Sequence, residues 1–225
     1  MTTTWSPPAH GLRVGFVGKG GSGKTTTLAH VLGHWAHEGV PCMAMDTDKP
    51  GDDEDGSLYA WAQQADLGAP VYPAPNHNRL APEAARLTPP GGLALIDTGA
   101  WERKAGGAHF STLSAVDLAV LTLQPTPMEL DRAASVLDAL HHLESVGANV
   151  PQLVILLTMV NSSAGSPRST RTALAGAGYT VLESEIPRSD ARDGYGQAFG
   201  KDLRLVAGSP MQRLAHELLE VLGGQ

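Results

Sequence analysis

The chain has a single cysteine, Cys42, in 225 residues. One thiol closes no intrachain disulfide and forms no metal-binding cysteine cluster, so a reducing cytoplasm fits its chemistry. Long hydrophobic runs are missing, which leaves no candidate for a membrane-spanning helix. Residues 1–10 contain Thr, Ser and two prolines but neither a basic nor an apolar block, and read as a flexible leader rather than a signal peptide. Basic residues are scarce as well: 16 Lys and Arg against 23 Asp and Glu give a net charge of −7. That deficit lies wholly in residues 1–159 (9 against 16), whereas residues 160–225 are balanced at 7 against 7. Global charge therefore does not advertise nucleic-acid binding, and any such contact needs a local patch. The hydrophobic content of 42% is ordinary for a globular domain and argues against general disorder. A single domain over residues 11–225 is expected.

Glycine is plentiful, and its placement is informative. Gly18-Lys19-Gly20-Gly21-Ser22-Gly23-Lys24-Thr25-Thr26 follows the apolar run Val14 to Val17 and precedes a helical pattern. This is the phosphate-binding loop G-x-x-x-x-G-K-[ST] in its strand–loop–helix setting. The glycines let the backbone turn its N–H groups toward phosphate oxygens, and Ser22, Thr25 and Thr26 extend that cradle into the helix N-terminus. Lys24 supplies a charge for the β- and γ-phosphates, and the Thr25 hydroxyl is placed for Mg²⁺. A nucleoside triphosphate is the expected ligand.

Apolar strands alternate with amphipathic helices along the chain. Strands are expected at 12–17, 42–45, 71–72, 93–96, 118–123, 153–160 and 181–186. Helices are expected at 25–38, 57–65, 79–87, 128–146, 169–175 and 211–222. The fold class is α/β, a mainly parallel sheet with helices on both faces. On the first helix Leu28, Val31, Leu32 and Trp35 face the core, while His30, His34 and His37 lie on another face and read as solvated. On the long helix after Pro127 the inward set is Leu130, Ala133, Ala134, Leu137, Leu140 and Leu143. The closing helix has Arg213 as its only basic residue, which does not fit a basic membrane-surface helix.

Asp97 ends the strand Leu93 to Ile96, where an acidic residue reaches a ligand crevice and suits a Mg²⁺-associated carboxylate. An acidic pair, Asp46 and Asp48, follows the strand that starts at Cys42. The acidic run Asp52 to Asp55 reads as a solvated loop.

Lys19, early in the phosphate loop, has no task in a plain loop of this type. The combination Lys19-Gly20-Gly21-x-Gly23-Lys24-Thr25-Thr26 resembles the deviant Walker A motif of the ParA/MinD superfamily of ATPases. Asp46-Thr47-Asp48 resembles that family's A′ segment, with Lys49 where proline is common. Gln124-Pro125-Thr126-Pro127 before the long helix and Ile186-Pro187-Arg188 resemble two further segments. Met159 stands where relatives often have arginine. The shortness of the chain resembles small plasmid-type ParA proteins of the ParF group.

The resemblance implies the following. Two subunits sandwich two ATP molecules, and Lys19 reaches the phosphates bound by the partner. Asp48 orients the hydrolytic water, Asp46 lies nearer the Mg²⁺ shell with Thr25 and Asp97, and Pro187 belongs to the adenine side. The homodimer binds DNA non-specifically, is cytoplasmic and nucleoid-associated when ATP-bound, and meets a centromere-binding ParB-type partner, with no membrane contact. Arg168, Arg171, Arg188, Arg192, Lys201 and Arg204 are candidate DNA contacts. One cysteine does not suit the iron–sulfur members. A cargo-positioning ATPase of the same superfamily, a P-loop biosynthetic ligase or synthetase, and a non-hydrolysing adaptor remain as alternatives.

Overall fold

A computed structural model describes residues 7–48, 57–74, 77–101, 108–161, 163–189, 191 and 194–223, without the side chains of 108–109 and 127–133. Lys49, the acidic run Asp52 to Asp55 and Arg192 lie outside the described residues.

Seven strands form one parallel sheet: β1 (Leu12–Val17), β2 (Cys42–Asp46), β3 (Val71–Pro73), β4 (Leu93–Asp97), β5 (Leu118–Leu123), β6 (Gln152–Val160) and β7 (Val181–Pro187). Their order is β3-β2-β4-β1-β5-β6-β7, and every pairing is parallel. The helices are α1 (Lys24–His37), α2 (Ser57–Ala62), α3 (Leu80–Leu87), α4 (Ala108–Ala115), α5 (Pro127–Ser145), α6 (Ser166–Gly176) and α7 (Pro210–Gly223). Alternate strand residues serve opposite faces. Val14, Phe16, Leu95 and Val120 pack with Leu28, Leu32 and Trp35 of α1 and Leu214 and Leu218 of α7. On the other face Ala119, Leu121 and Ile155 pack with Val136, Leu140 and Leu143 of α5, while Met43, Met45 and Ile96 meet Leu80 and Ala84 of α3. Burial on both faces explains why the strands read as continuous apolar runs. From β1 the chain first builds toward β3, then crosses back to build toward β7. The switch leaves a crevice at the C-terminal ends of β4, β1 and β5, where α/β sheets hold ligands.

The structure corrects several expectations. Helix α4 was not expected: Ala-His-Phe-Ser-Thr-Leu-Ser-Ala carries too few large apolar residues to show a helical period, and Leu113 anchors it in the core. On helix α5 Leu140 and Leu143 are buried as expected, but Val136 and Ala139 are buried with them and Ala134 is exposed; the side chains of Leu130 and Ala133 lie outside the described ones. Small alanines give little phase information.

Arg171 is withdrawn from the DNA-contact set. Its guanidinium donates to the Leu182 carbonyl at 2.6 Å and pairs with Glu185 at 2.9 Å. Glu217 accepts from the backbone N–H groups of Glu183 and Ser184. The register shift between Ile155↔Val181 and Leu157↔Glu185 interrupts the β6–β7 ladder over this stretch. Arg171 and Glu217 satisfy backbone groups there, and the arginine's charge is largely neutralised.

The histidines of α1 are the fourth correction. His37 is exposed, but His30 and His34 are only 3% and 2% exposed. His30 Nδ1 faces the Thr26 carbonyl at 2.8 Å; a carbonyl only accepts, so Nδ1 carries the proton. His34 Nε2 is buried with no hydrogen-bond partner. Burial lowers the pKa of both rings. For His34, Glu38 opposes this effect, whereas His30, His216 and His37 add to it. Below the ordinary value of 6.5 the unfolded chain takes up protons that the folded rings refuse. Stability is therefore complete above that pH and falls as pH drops, by at most about 1.4 kcal/mol per pH unit for each histidine. His34→Leu removes the unsatisfied nitrogen and should stabilise the fold by about 1 kcal/mol at pH 8, and by more at pH 5.5. Urea unfolding at both pH values measures this. A gain no larger at pH 5.5 than at pH 8 would contradict it.

Candidate nucleotide site

The loop between β1 and α1 is held in shape by hydroxyls from neighbouring strands. Gly18 has φ 147°, and a Cβ there would lie 2.6 Å from Thr122 Oγ1, so the close approach requires glycine. Ser22 is buried, its hydroxyl 2.7 Å from Thr122 Oγ1. Thr122 in turn donates to the Val17 carbonyl at 3.2 Å, and Thr158 donates to the Ser22 carbonyl at 2.8 Å. Gly23, at φ 85°, turns the chain into α1. Gly20 and Gly21 form the exposed tip, and Gln124 Nε2 donates to the Gly21 carbonyl at 3.2 Å. The sequence reading missed Thr122 and Thr158. Each is a lone hydroxyl near the C-terminal end of an apolar strand beside a phosphate loop, and that is the signal that finds them.

Lys24 is 6% exposed, and its ammonium donates to the carbonyls of Gly18 and Lys19, both at 3.1 Å. Burial lowers its pKa, while Asp97 and Asp48 oppose the shift. The loop's own carbonyls thus hold the charge inside the loop. Lys19 is half-buried on the same turn.

Asp46 and Asp97 are register partners at the ends of β2 and β4. Thr25 Oγ1 donates to Asp97 Oδ2 at 2.6 Å. Asp97 Oδ1 is buried with no hydrogen-bond partner. Burial pushes the Asp97 carboxyl up to about 7, helped by Asp46 and Asp48 and resisted by Thr25 and Lys24. The Asp97 carbonyl accepts from the Thr47 amide and hydroxyl at 3.0 and 2.8 Å, which ties the loop after β2 to β4. Asp46 Oδ1 accepts from the Asp48 N–H at 2.9 Å and Oδ2 from the Tyr59 N–H at 2.8 Å. Asp46 therefore holds the backbone of Asp48 and of α2. Asp48 is half-buried, with Oδ1 against Gly99: a Cβ on that glycine would lie 2.6 Å away.

The Thr25 hydroxyl and the orphaned Asp97 oxygen form a hard oxygen set that fits Mg²⁺. Among the described residues no group of three or more His, Cys, Asp or Glu has metal-binding geometry.

Behind the loop a cavity of about 250 Å³ is lined by Gly23, Thr26, Met159, Pro187, Arg188 and Tyr195, among others. Met159 lies at an irregularity near the end of β6, with φ 51°. It is the only non-glycine residue at positive φ among the described residues. Gln124 Nε2 contacts its sulfur at 3.3 Å. Pro187 thus lies on the cavity side of the phosphate loop, while Thr25, Asp46, Asp48 and Asp97 meet at the opposite side. Of the basic candidates, Arg168 on α6 and Arg188, Lys201 and Arg204 after β7 are exposed. Among the described residues no helix is long and apolar enough to cross a membrane.

No protein-family model and no curated protein matches the sequence. Solved structures do match. MinD, the cell-division ATPase of Pyrococcus furiosus, superposes with a TM-score of 0.64 at 17% identity, over 94% of this chain and 99% of that one. Cobyrinic acid a,c-diamide synthase from Mycobacterium smegmatis, solved with an ATP analogue and magnesium, gives 0.69 at 17% identity, over 93% and 95%. An ATP complex of a McdA variant from Cyanothece gives 0.62 at 17% identity, over 96% and 97%. At such identity the likeness is one of fold. The chain has the seven-stranded parallel P-loop fold that MinD-type ATPases, McdA and this synthase share.

Proposed function

We propose that the chain is a Mg²⁺-dependent ATPase of the ParA/MinD type. It forms an ATP-sandwich homodimer, binds DNA non-specifically, and drives plasmid or chromosome partition with a centromere-binding ParB-type partner. The observation that carries this reading is the second lysine, Lys19, on a phosphate loop that already has its own buried lysine. A monomeric phosphate site is complete with Lys24, so a second lysine on the same loop favours a site that also meets a second subunit's phosphates.

Within this reading the roles divide by position. The N–H groups from Gly20 to Thr26 and the Lys24 ammonium hold the β- and γ-phosphates. Thr25 and Asp97 hold Mg²⁺, which neutralises charge on those phosphates when bound. Asp48 orients the attacking water, and Asp46 fixes the Asp48 backbone from the edge of the ion's shell. Pro187 and Met159 wall the adenine side. Arg168, Arg188, Lys201 and Arg204 remain as DNA contacts, with Arg192 outside the described residues. The ATP-bound dimer is placed in the cytoplasm on the nucleoid.

The synthase likeness supports a second reading, a P-loop ligase or synthetase that phosphorylates a carboxylate, and McdA and MinD support a protein-directed ATPase. One experiment separates them. Duplex DNA binding is measured with and without ATP, for the wild type and Lys19→Ala, and with a co-encoded partner. The expected binding is sequence-independent and ATP-dependent, with a Kd of roughly 10⁻⁴ to 10⁻⁶ M and a salt slope of about −0.9 per phosphate contact. Lys19→Ala should keep nucleotide binding but lose the dimer and the DNA affinity. An ATP-bound dimer with no affinity for any duplex at low salt would overturn the partition reading in favour of a protein cargo or a synthetase.

A further inference from the structure

Residues 194–209 form a strap that crosses α1 and leads into α7. Tyr195 and Gly196 line the 250 Å³ base-side cavity. Tyr195 also borders a larger cavity of about 860 Å³ together with His30, Lys201 and Arg204. Three anchors hold the strap. Leu203 seats on Gly33, where a Cβ would lie 2.6 Å from Leu203 Cδ1. Asp202 Oδ1 accepts from the Asp66 N–H at 3.1 Å. Trp61 Nε1 donates to the Lys201 carbonyl at 2.8 Å. The Trp61 side chain is fully buried, with its ring 6.2 Å from that of His30 and 5.7 Å from that of Phe199.

Trp61 stands on α2, and the N-terminal part of α2 is tied to the phosphate end of the site. The Tyr59 N–H is held by Asp46 Oδ2, while Asp46 Oδ1 holds the Asp48 N–H. A helix of six residues therefore joins the acidic loop after β2 to the strap that walls the base side.

We propose that Trp61 is a positioning residue for the nucleotide: through α2 it sets the separation between the base-side wall and the Asp46–Asp48 loop. This rests on the reading of the site as an ATP site. Trp61 touches no phosphate, so its effect falls on ligands that carry a base and sugar.

The test compares the affinities of ATP and inorganic tripolyphosphate for the whole chain. Trp61→Phe keeps an aromatic ring and removes the N–H donor. It should weaken ATP about fivefold, the equivalent of one neutral hydrogen bond, and leave tripolyphosphate within about twofold of wild type. Leu203→Ala loosens the same strap at another of its three anchors and should lower the ATP-to-tripolyphosphate affinity ratio in the same direction. It decides the matter should Trp61→Phe fail to fold. Equal losses for both ligands, or an unchanged ATP affinity in both variants, would overturn the proposal. A wild type that binds tripolyphosphate but gains nothing from adenosine would instead overturn the ATP reading itself.

Discussion

Replacing Lys24 by alanine should abolish ATP binding while leaving the fold in place. The ammonium is buried within the loop, held by two carbonyls from the loop's own turn. A triphosphate brought to the loop meets one fixed positive charge at that point. Without it the phosphate oxygens are desolvated against N–H dipoles alone. Stripping one partner from a buried charged pair costs on the order of 3–5 kcal/mol, or roughly 10²- to 4 × 10³-fold in Kd. The loop does not need Lys24 to keep its shape, because Thr122 of β5 and Thr158 of β6 hold its residues Val17 and Ser22. Calorimetric titration should thus show no ATP binding in a variant whose thermal unfolding stays near that of the wild type. Micromolar or tighter affinity surviving in a folded Lys24→Ala would remove Lys24 from the phosphate site.

The phosphate loop and the sheet were legible because each is fixed by local chemistry. A glycine-rich turn between an apolar strand and a helix has few other uses, and strands buried on both faces announce themselves as unbroken apolar runs. Legibility failed where a residue's meaning depends on a distant partner. Arg171 reads as a surface charge until β7 is seen beside it with backbone groups to satisfy. His30 and His34 read as a polar helix face, since nothing local shows that α7 and the 194–209 strap cover that face. The link from Asp46 through α2 to Lys201 joins distant parts of the chain and has no motif. Asp97 was found from its place at a strand end, but its unpartnered oxygen and raised pKa follow from burial between β1 and β2, which a single sequence does not disclose.

Asp48→Ala should separate binding from hydrolysis. Its backbone N–H is what Asp46 holds, so the loop keeps its course when the side chain is cut back. The lost carboxylate lay against Gly99, just past the end of β4, on the phosphate side of the site and close enough to Asp97 and Lys24 to influence the titration of both. Removing its negative charge takes repulsion away from an incoming triphosphate, and ATP affinity should stay equal or rise. Turnover requires a water to be oriented and its proton accepted, a contribution of about 10²- to 10⁴-fold. Phosphate release should fall by that order, and the ATP-bound dimer should persist through gel filtration instead of decaying. The two effects together distinguish a water-orienting carboxylate from a metal ligand: loss of a metal ligand would weaken Mg²⁺-ATP binding along with hydrolysis. Wild-type phosphate release from Asp48→Ala would pass the role to Asp97 or Asp46. Joint loss of affinity and turnover would instead place Asp48 in the ion's own coordination.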